Sequence, residues 1–257
     1  MRLRVVLVEP MYDGNVGSVA RAMKNFGFCD LVLINPCRID DFGRAMASHA
    51  RDILESARIA RTLEEAVAGA NLVVGTTGKR LENGERHLRL HLRVPCLAPE
   101  ELRKKLDGKE GEVALLLGRE DVGLTNEELM VCDMVVSIPT GEDYPIMNIS
   151  HAAAVLFYEL SKVEEGNTDM ASRESLTLLQ QKARAMLHDA SYPEHKIEYI
   201  VLMFRRIFGR AELTEREART ILGVIKNIRW SISIGPHQKE ASSDDEPLEP
   251  VLQVDVP

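Results

Sequence analysis

Three short segments of the chain place glycine next to side chains that can bind and polarise a substrate. The first begins at Gly14 and carries Asn15, Ser18 and Arg21 near the start of a helix predicted over residues 16–26. Amide, hydroxyl and guanidinium groups donate hydrogen bonds, and arginine can stabilise negative charge on an oxygen. The helix follows an apolar run, so we expect this cluster at the carboxyl end of a sheet, where α/β proteins bind ligands. A solvated surface position is the alternative for Arg21.

The second segment repeats this arrangement after a strand predicted over residues 113–117. Gly118 ends the strand, and Glu120 follows it. Glycine at a strand end allows a ligand to approach the backbone closely, and we expect Gly118 to serve this purpose. Thr125 and Glu128 match a capping box, so the helix that starts there has a purely structural explanation.

The third segment is a polar stretch over residues 140–147 that leads directly into an apolar helix predicted over residues 148–163. We expect Ser150 and the free amides of the first turn to face a ligand, because a loop that opens a helix can bind small molecules through its backbone. Asn148 is also a good N-cap, so an ordinary capped helix is the alternative. The side chains predicted to face the core are Ala153, Leu156, Phe157 and Leu160.

The elements that must position these segments alternate between strand and helix over residues 1–163. The predicted strands are residues 3–8, 31–34, 72–75, 113–117 and 134–138. This alternation predicts an α/β fold with a mostly parallel sheet and helices on both faces. A polar linker over residues 164–172 precedes purely helical periodicity, which predicts a small all-helical C-terminal domain over residues 173–232. Residues 239–257 are acidic and predicted to be disordered.

The charge and cysteine content restrict the class of protein. The formal net charge is -8, but six acidic residues and one lysine after Gln238 account for -5 of it, so a nucleic-acid partner is not excluded. The four cysteines lack metal-ligand spacing, and we therefore expect no metal site and a reduced, cytoplasmic protein. The apolar runs are strand-sized, and we expect no membrane partner.

Taken together, the three segments resemble the three motifs of the SpoU/TrmH branch of the SPOUT RNA methyltransferases. The resemblance covers residues 4–162, and a weaker one over residues 204–213 is to the C-terminal helical extension of the TrmJ family. It implies S-adenosylmethionine as cofactor, a homodimer and a deep C-terminal trefoil knot. It also implies methyl transfer to the ribose 2′-hydroxyl of nucleotide 32, a cytidine, in the tRNA anticodon loop.

The resemblance also implies roles for individual residues. Arg21, Asn15, Glu120 and Ser150 match catalytic motif positions. Arginine keeps its proton at neutral pH, so we expect Arg21 to orient the ribose or a phosphate and to stabilise a developing alkoxide rather than to act as a base. The implied cofactor contacts, mostly through backbone atoms, are Thr76, Thr77, Gly78, Gly118, Ile138, Ile146, Met147 and Asn148.

Two basic regions are candidates for RNA binding, although charge runs are usually solvated faces. One lies beside the expected cofactor site and contains Lys79, Arg80, Arg86 and Arg89; the other lies near the end of a C-terminal helix and contains Arg205, Arg206 and Arg210. Two alternatives stay open: a SpoU-type enzyme that acts on rRNA or another tRNA position, and a knotted RNA-binding protein without activity. A Rossmann-like nucleotide enzyme is disfavoured, because no G-x-G-x-x-G fingerprint is present.

Overall fold

The computed structural model of the chain describes residues 1–78 and 96–234. The strands are β1 (Arg2–Val8), β2 (Asp30–Ile34), β3 (Arg58–Ala60), β4 (Leu72–Thr76), β5 (Lys109–Glu110), β6 (Glu112–Leu117), β7 (Met134–Val136) and β8 (Thr168–Asp169). The α-helices are α1 (Asp13–Asn25), α2 (Asp41–Ala47), α3 (Arg51–Glu55), α4 (Leu63–Val67), α5 (Pro99–Leu106), α6 (Asn126–Val131), α7 (Ile149–Leu160), α8 (Arg173–Asp189), α9 (Glu194–Ala211) and α10 (Glu215–Ile234). A single 3-10 turn, Ser48–Ala50, joins α2 to α3.

Six strands form one sheet in the order β3-β2-β1-β6-β4-β7, and every neighbouring pair is parallel. The predicted α/β fold with a mostly parallel sheet is confirmed. The short strands β5 and β8 pair separately. The largest differences in boundaries are at three elements: α1 begins at Asp13 rather than residue 16, β7 ends at Val136 rather than residue 138, and α7 ends at Leu160 rather than residue 163.

Side chains of β1 alternate between two hydrophobic cores, one on each face of the sheet. Val5 and Leu7 belong to the core that α1, α5 and α7 cover, whereas Val6 and Val8 belong to the core that α4 and α6 cover. Burial on both faces explains why the strands read as continuous apolar runs. The predicted inward-facing residues of α7 are all buried.

The three C-terminal helices pack against one another through small apolar clusters. Leu179 and Ala183 of α8 contact Ile225 of α10 in a small core. Glu217 accepts a hydrogen bond from the Thr214 amide at 2.8 Å and donates its own amide to the Thr214 hydroxyl at 3.3 Å, which is a capping box at the start of α10. None of the helices in the described part of the chain is long and apolar enough to cross a membrane.

A buried carboxylate, Asp133, joins these helices to the sheet. It is only 1% exposed and lies just before β7. Its carboxylate accepts hydrogen bonds from the Val73 amide of β4 at 2.9 Å and from the Arg173 guanidinium of α8 at 2.7 Å, and Arg205 of α9 lies 3.6 Å away. The backbone of α9 also approaches closely, because a Cβ on Gly209 would meet the Asp133 carbonyl oxygen at 2.5 Å.

We expect the substitution Asp133→Asn to lower the free energy of unfolding by about 3 kcal/mol, because it leaves two mostly buried guanidinium groups without their counter-charge. Urea unfolding followed by circular dichroism measures this change. Asp52→Asn is the matched control, since Asp52 pairs with Lys24 on the surface and its removal is expected to leave the midpoint unchanged. Equal midpoints for the two variants would show that the buried ion pairs do not stabilise the fold.

Candidate active site

The three predicted segments meet in one chain of hydrogen bonds at the carboxyl end of the sheet. The Asn15 side-chain amide donates to Glu120 at 2.9 Å, and the Asn148 side-chain amide donates to the Asn15 carbonyl oxygen at 3.1 Å. The Ser150 hydroxyl and backbone amide both donate to the Asn148 side-chain oxygen, at 2.7 and 2.8 Å. The structure therefore brings four of the predicted residues into contact across about 130 residues of sequence, from Asn15 to Asn148.

The Glu120 carboxylate lies at one end of this series of hydrogen bonds and determines which atoms donate and which accept. Besides Asn15, it accepts hydrogen bonds from the backbone amides of Met11 at 2.9 Å and Tyr12 at 3.4 Å. A carboxylate can only accept, so Asn15 must present its amide nitrogen to Glu120 and its oxygen to Asn148. No sequence signal pointed to Met11 or Tyr12, because their contribution is made by backbone atoms.

A cavity of about 260 Å³ lies beside this network. Seven of the eight predicted cofactor-binding residues line it: Thr76, Thr77, Gly78, Gly118, Ile138, Ile146 and Met147. The exception is Asn148, whose side chain instead caps α7 and contacts Asn15. Sequence reasoning missed part of the apolar wall, which includes Leu117, Val136, Ile149 and Leu156.

Glycine at position 118 has a structural reason that was not predicted. A Cβ there would lie 2.2 Å from the backbone carbon of Gly123, so the fold of the chain itself requires the glycine. Arg119 and Gly123 exchange backbone hydrogen bonds of 3.0 and 3.2 Å, which closes a tight turn, and Gly123 has a φ of +71°. The Arg119 side chain holds the turn through Glu128 at 3.0 Å and Glu9 at 2.8 Å, and the hydrogen bond to Glu128 is the main cause of its raised pKa.

Arg21 and Ser18 do not join the network. The Ser18 hydroxyl donates to the Gly14 carbonyl oxygen of its own helix at 2.8 Å. Arg21 is exposed, and it lies six residues after Asn15, which places it about 120° around α1 at 100° per residue. The three side chains therefore do not form the predicted cluster: Asn15 contacts Glu120 and Asn148, and Ser18 bonds within its own helix.

Residues 2–158 match the SpoU rRNA Methylase family. The chain belongs to the SpoU methylase family. It is 41% identical to the tRNA (cytidine-2'-O-)-methyltransferase TrmJ of Methanocaldococcus jannaschii, over 87% of this chain and 98% of that one. It is 34% identical to the tRNA (cytidine/uridine/adenosine-2'-O-)-methyltransferase TrmJ of Pseudomonas aeruginosa, over 87% and 92% of the two chains.

The crystal structure of TrmJ from Z. mobilis ZM4 aligns with this SpoU methylase at a TM-score of 0.69 and 27% identity, covering 89% of this chain and 99% of that one. These matches confirm the resemblance to the family, including the TrmJ proteins. They extend past α7 into the C-terminal helices, because 89% of the chain is covered, whereas the family domain ends at residue 158.

Two of the arginines predicted to bind RNA are instead buried between the helices and the sheet of this SpoU methylase. Arg206 is only 5% exposed and donates to the Leu129 carbonyl oxygen at 2.8 Å. Arg205 donates to the Val131 carbonyl oxygen at 2.7 Å and to Gln180. Burial lowers the pKa of both guanidinium groups. The RNA-binding prediction for Arg205 and Arg206 is wrong, because both side chains are used to dock α9.

The other predicted RNA contacts have different outcomes. Arg210 remains partly exposed on α9. Lys79, Arg80, Arg86 and Arg89 lie outside the described residues. Within residues 1–78 and 96–234, no group of three His, Cys, Asp or Glu side chains is arranged to hold a metal ion.

We expect Gly118→Ala to lower the free energy of unfolding by about 1–3 kcal/mol, because the new methyl group would overlap the backbone of the 119–123 turn. Affinity for S-adenosylmethionine, measured by calorimetry, is expected to fall with it, since the turn lines the cavity. Gly78→Ala is the matched control: its Cβ would meet Ile146 at an ordinary 3.6 Å, so stability is expected to be unchanged. Equal stability of the two variants would contradict the crowding argument.

We expect Asn15→Asp to be destabilised in a pH-dependent way. The introduced carboxyl group faces the Glu120 carboxylate, and like charges favour protonation of one of them. Protonation restores a donor, so the penalty should be largest at pH 7 and should shrink as the pH falls toward about 5. Thermal unfolding of the variant and wild type across this range measures the difference.

Asn15→Ala is the matched comparison for this experiment. It removes the donor at every pH, so its deficit relative to wild type is expected to stay constant. If the two variants showed the same pH dependence, the Asn15–Glu120 contact would not carry the effect.

Proposed function

We propose that the chain is an S-adenosylmethionine-dependent methyltransferase that methylates the ribose 2′-hydroxyl of nucleotide 32, a cytidine, in the tRNA anticodon loop. The observation that carries this proposal is the 41% identity to a tRNA (cytidine-2'-O-)-methyltransferase over nearly all of that relative. The hydrogen-bonded cluster of motif residues beside the cavity supports it, because the chemistry needs polar groups next to a cofactor pocket.

The cavity residues fit the proposed cofactor. Apolar side chains such as Leu117, Val136 and Ile138 suit the faces of a purine ring, and the carboxylates of Glu120 and Asp121 at the lining suit a cation. The Thr76 hydroxyl is already bonded to the Leu116 carbonyl oxygen at 2.9 Å, so it stabilises the wall rather than offering a free donor. When bound, S-adenosylmethionine supplies an electrophilic methyl group on a sulfonium centre.

The residues of the chain then have separate roles. Arg21 has no hydrogen bond or ion pair to another described residue, so its guanidinium is available to orient a ribose or phosphate and to stabilise negative charge on the 2′-oxygen. Glu120 already accepts from three N–H groups, and we assign it as a positioning residue rather than a general base. Asn15, Asn148 and Ser150 hold the start of α7 against the start of α1.

The remaining expectations belong to the same proposal. The deep trefoil knot rests on membership in the SpoU methylase family. The homodimer rests on family resemblance. A reducing cytoplasmic location is in keeping with four free cysteines and with tRNA as substrate. RNA contacts are proposed for Arg210 and for Lys79, Arg80, Arg86 and Arg89.

Methyl transfer from labelled S-adenosylmethionine to total tRNA and to rRNA, followed by mapping of the labelled nucleotide, tests the proposal. Label on the ribose of nucleotide 32 is the expected result. Label only on rRNA or at another tRNA position would favour the alternative SpoU-type specificity. Cofactor binding without any transfer would favour an RNA-binding protein that lacks activity.

We expect Arg21→Lys to reduce kcat by roughly 10- to 100-fold while tRNA affinity stays close to wild type. Lysine keeps the positive charge but loses the planar, two-pronged donor geometry. Single-turnover methylation and filter binding measure the two quantities separately. Arg58→Lys is the control, because Arg58 pairs with Asp30 where β3 and β2 begin, at the end of the sheet away from the candidate site. Wild-type turnover in Arg21→Lys would remove Arg21 from the chemistry.

A further inference from the structure

We propose that Tyr12 and Phe42 form an aromatic platform on which an unpaired base of the RNA loop stacks beside the target ribose. This inference rests on the proposed function, since it names the part of the RNA that the same site receives. Both rings are large and apolar yet largely solvent-exposed, 60% for Tyr12 and 64% for Phe42. Single-stranded RNA loops are recognised chiefly by stacking of splayed bases on such rings.

Phe42 is held in its exposed position by the backbone around it. A Cβ on Gly14 would lie 2.4 Å from the Phe42 ring, so the ring rests directly against the first turn of α1. One further contact keeps the two helices this close: a Cβ on Gly17 would lie 2.0 Å from the Gly43 carbonyl oxygen. Two glycines of α1 therefore make room for α2 and its phenylalanine.

Asp13 fixes the start of α2 from the other side. Its carboxylate accepts hydrogen bonds from the backbone amides of Gly43 at 2.8 Å and Asp40 at 3.3 Å. These two amides lie on either side of Asp41 and Phe42 in sequence, so the backbone of Phe42 has a defined position. An exposed aromatic ring with a fixed backbone presents a π-face at low entropic cost to a partner.

The platform is continuous with the candidate active site. The Tyr12 amide donates to Glu120, the carboxylate that also orients Asn15. Gly14, Gly17 and Arg21 follow one another at spacings of three and four along α1, so Arg21 shares the helix face on which Phe42 rests. Arg21 is about 10 Å further along the helix axis than Gly14. A base on Phe42 would thus have its sugar–phosphate backbone on the side of Arg21.

The charges around the platform favour a base rather than a bare phosphate at this place. Two arginines flank Phe42, but Arg38 pairs with Asp40 at 2.8 Å and Arg44 lies 3.6 Å from Asp41. The neighbouring charges largely compensate one another. A neutral, planar, aromatic ligand matches such a surface better than an anion does.

The test uses the full-length protein and an anticodon stem-loop RNA carrying 2-aminopurine at one unpaired position at a time. Stacking on an aromatic ring quenches the fluorescence of this base. We expect wild type and Phe42→Tyr to quench one position, and Phe42→Leu and Tyr12→Leu to lose the quenching. We also expect the two leucine variants to bind the RNA roughly 5- to 150-fold more weakly, with unchanged affinity for S-adenosylmethionine.

Leucine retains apolar bulk but lacks a π-face, which separates stacking from general packing. Tyr192→Leu, on the turn between α8 and α9, is the matched exposed-aromatic control and should bind like wild type. Wild-type binding and quenching by Phe42→Leu would overturn the platform. Dissociation of the leucine variants into monomers in sedimentation would also overturn it, because this face would then be an interface between copies. If wild type methylates tRNA while both leucine variants behave normally, only this inference fails. If wild type methylates no tRNA, the proposed function itself fails.

Discussion

The Glu120 carboxylate is the contact on which the candidate site depends. It follows β6, but its hydrogen bonds go to the segment after β1, two of them to backbone amides that no helix or strand uses. Parallel strands cannot by themselves fix how their carboxyl-end loops meet, since their hydrogen bonds stop where the strands end. A single side chain that only accepts therefore sets the position of α1 and, through the amide of Asn15, the start of α7.

The C-terminal helices use arginine side chains to pack against the sheet, whereas a count of charges alone would suggest surface positions. Three guanidinium groups enter the junction with the sheet, and two of them lie near Asp133. Backbone carbonyl oxygens at the end of α6, Leu129 and Val131, take up further donors. Such a junction needs partners from α6, β7, α8 and α9 at once, so removal of α8 and α9 would leave Asp133 and the α6 carbonyl oxygens without these donors.

The sequence predicted helices and strands well wherever buried residues recur at short, regular spacings. The central strands are apolar on both faces, so continuous runs marked them. The segment over residues 38–60 was missed because its helices are short and mix charge with small residues, and because two of the three residues of β3 are exposed. Contacts between residues more than 100 positions apart, such as Asn15 with Glu120, have no periodic signal, and only family resemblance linked them. The burial of Arg206 depends on a groove that exists only in the folded chain.

The position of Asp133 has a consequence for the newly made protein. Translation delivers the sheet first, and Arg173 and Arg205 leave the ribosome only after α7 is complete. Until then the carboxylate between β4 and β7 has the Val73 amide but lacks its cationic partners, so that edge of the sheet must stay hydrated. A chain cut short before α8 carries a wet, charged notch beside apolar side chains such as Leu129.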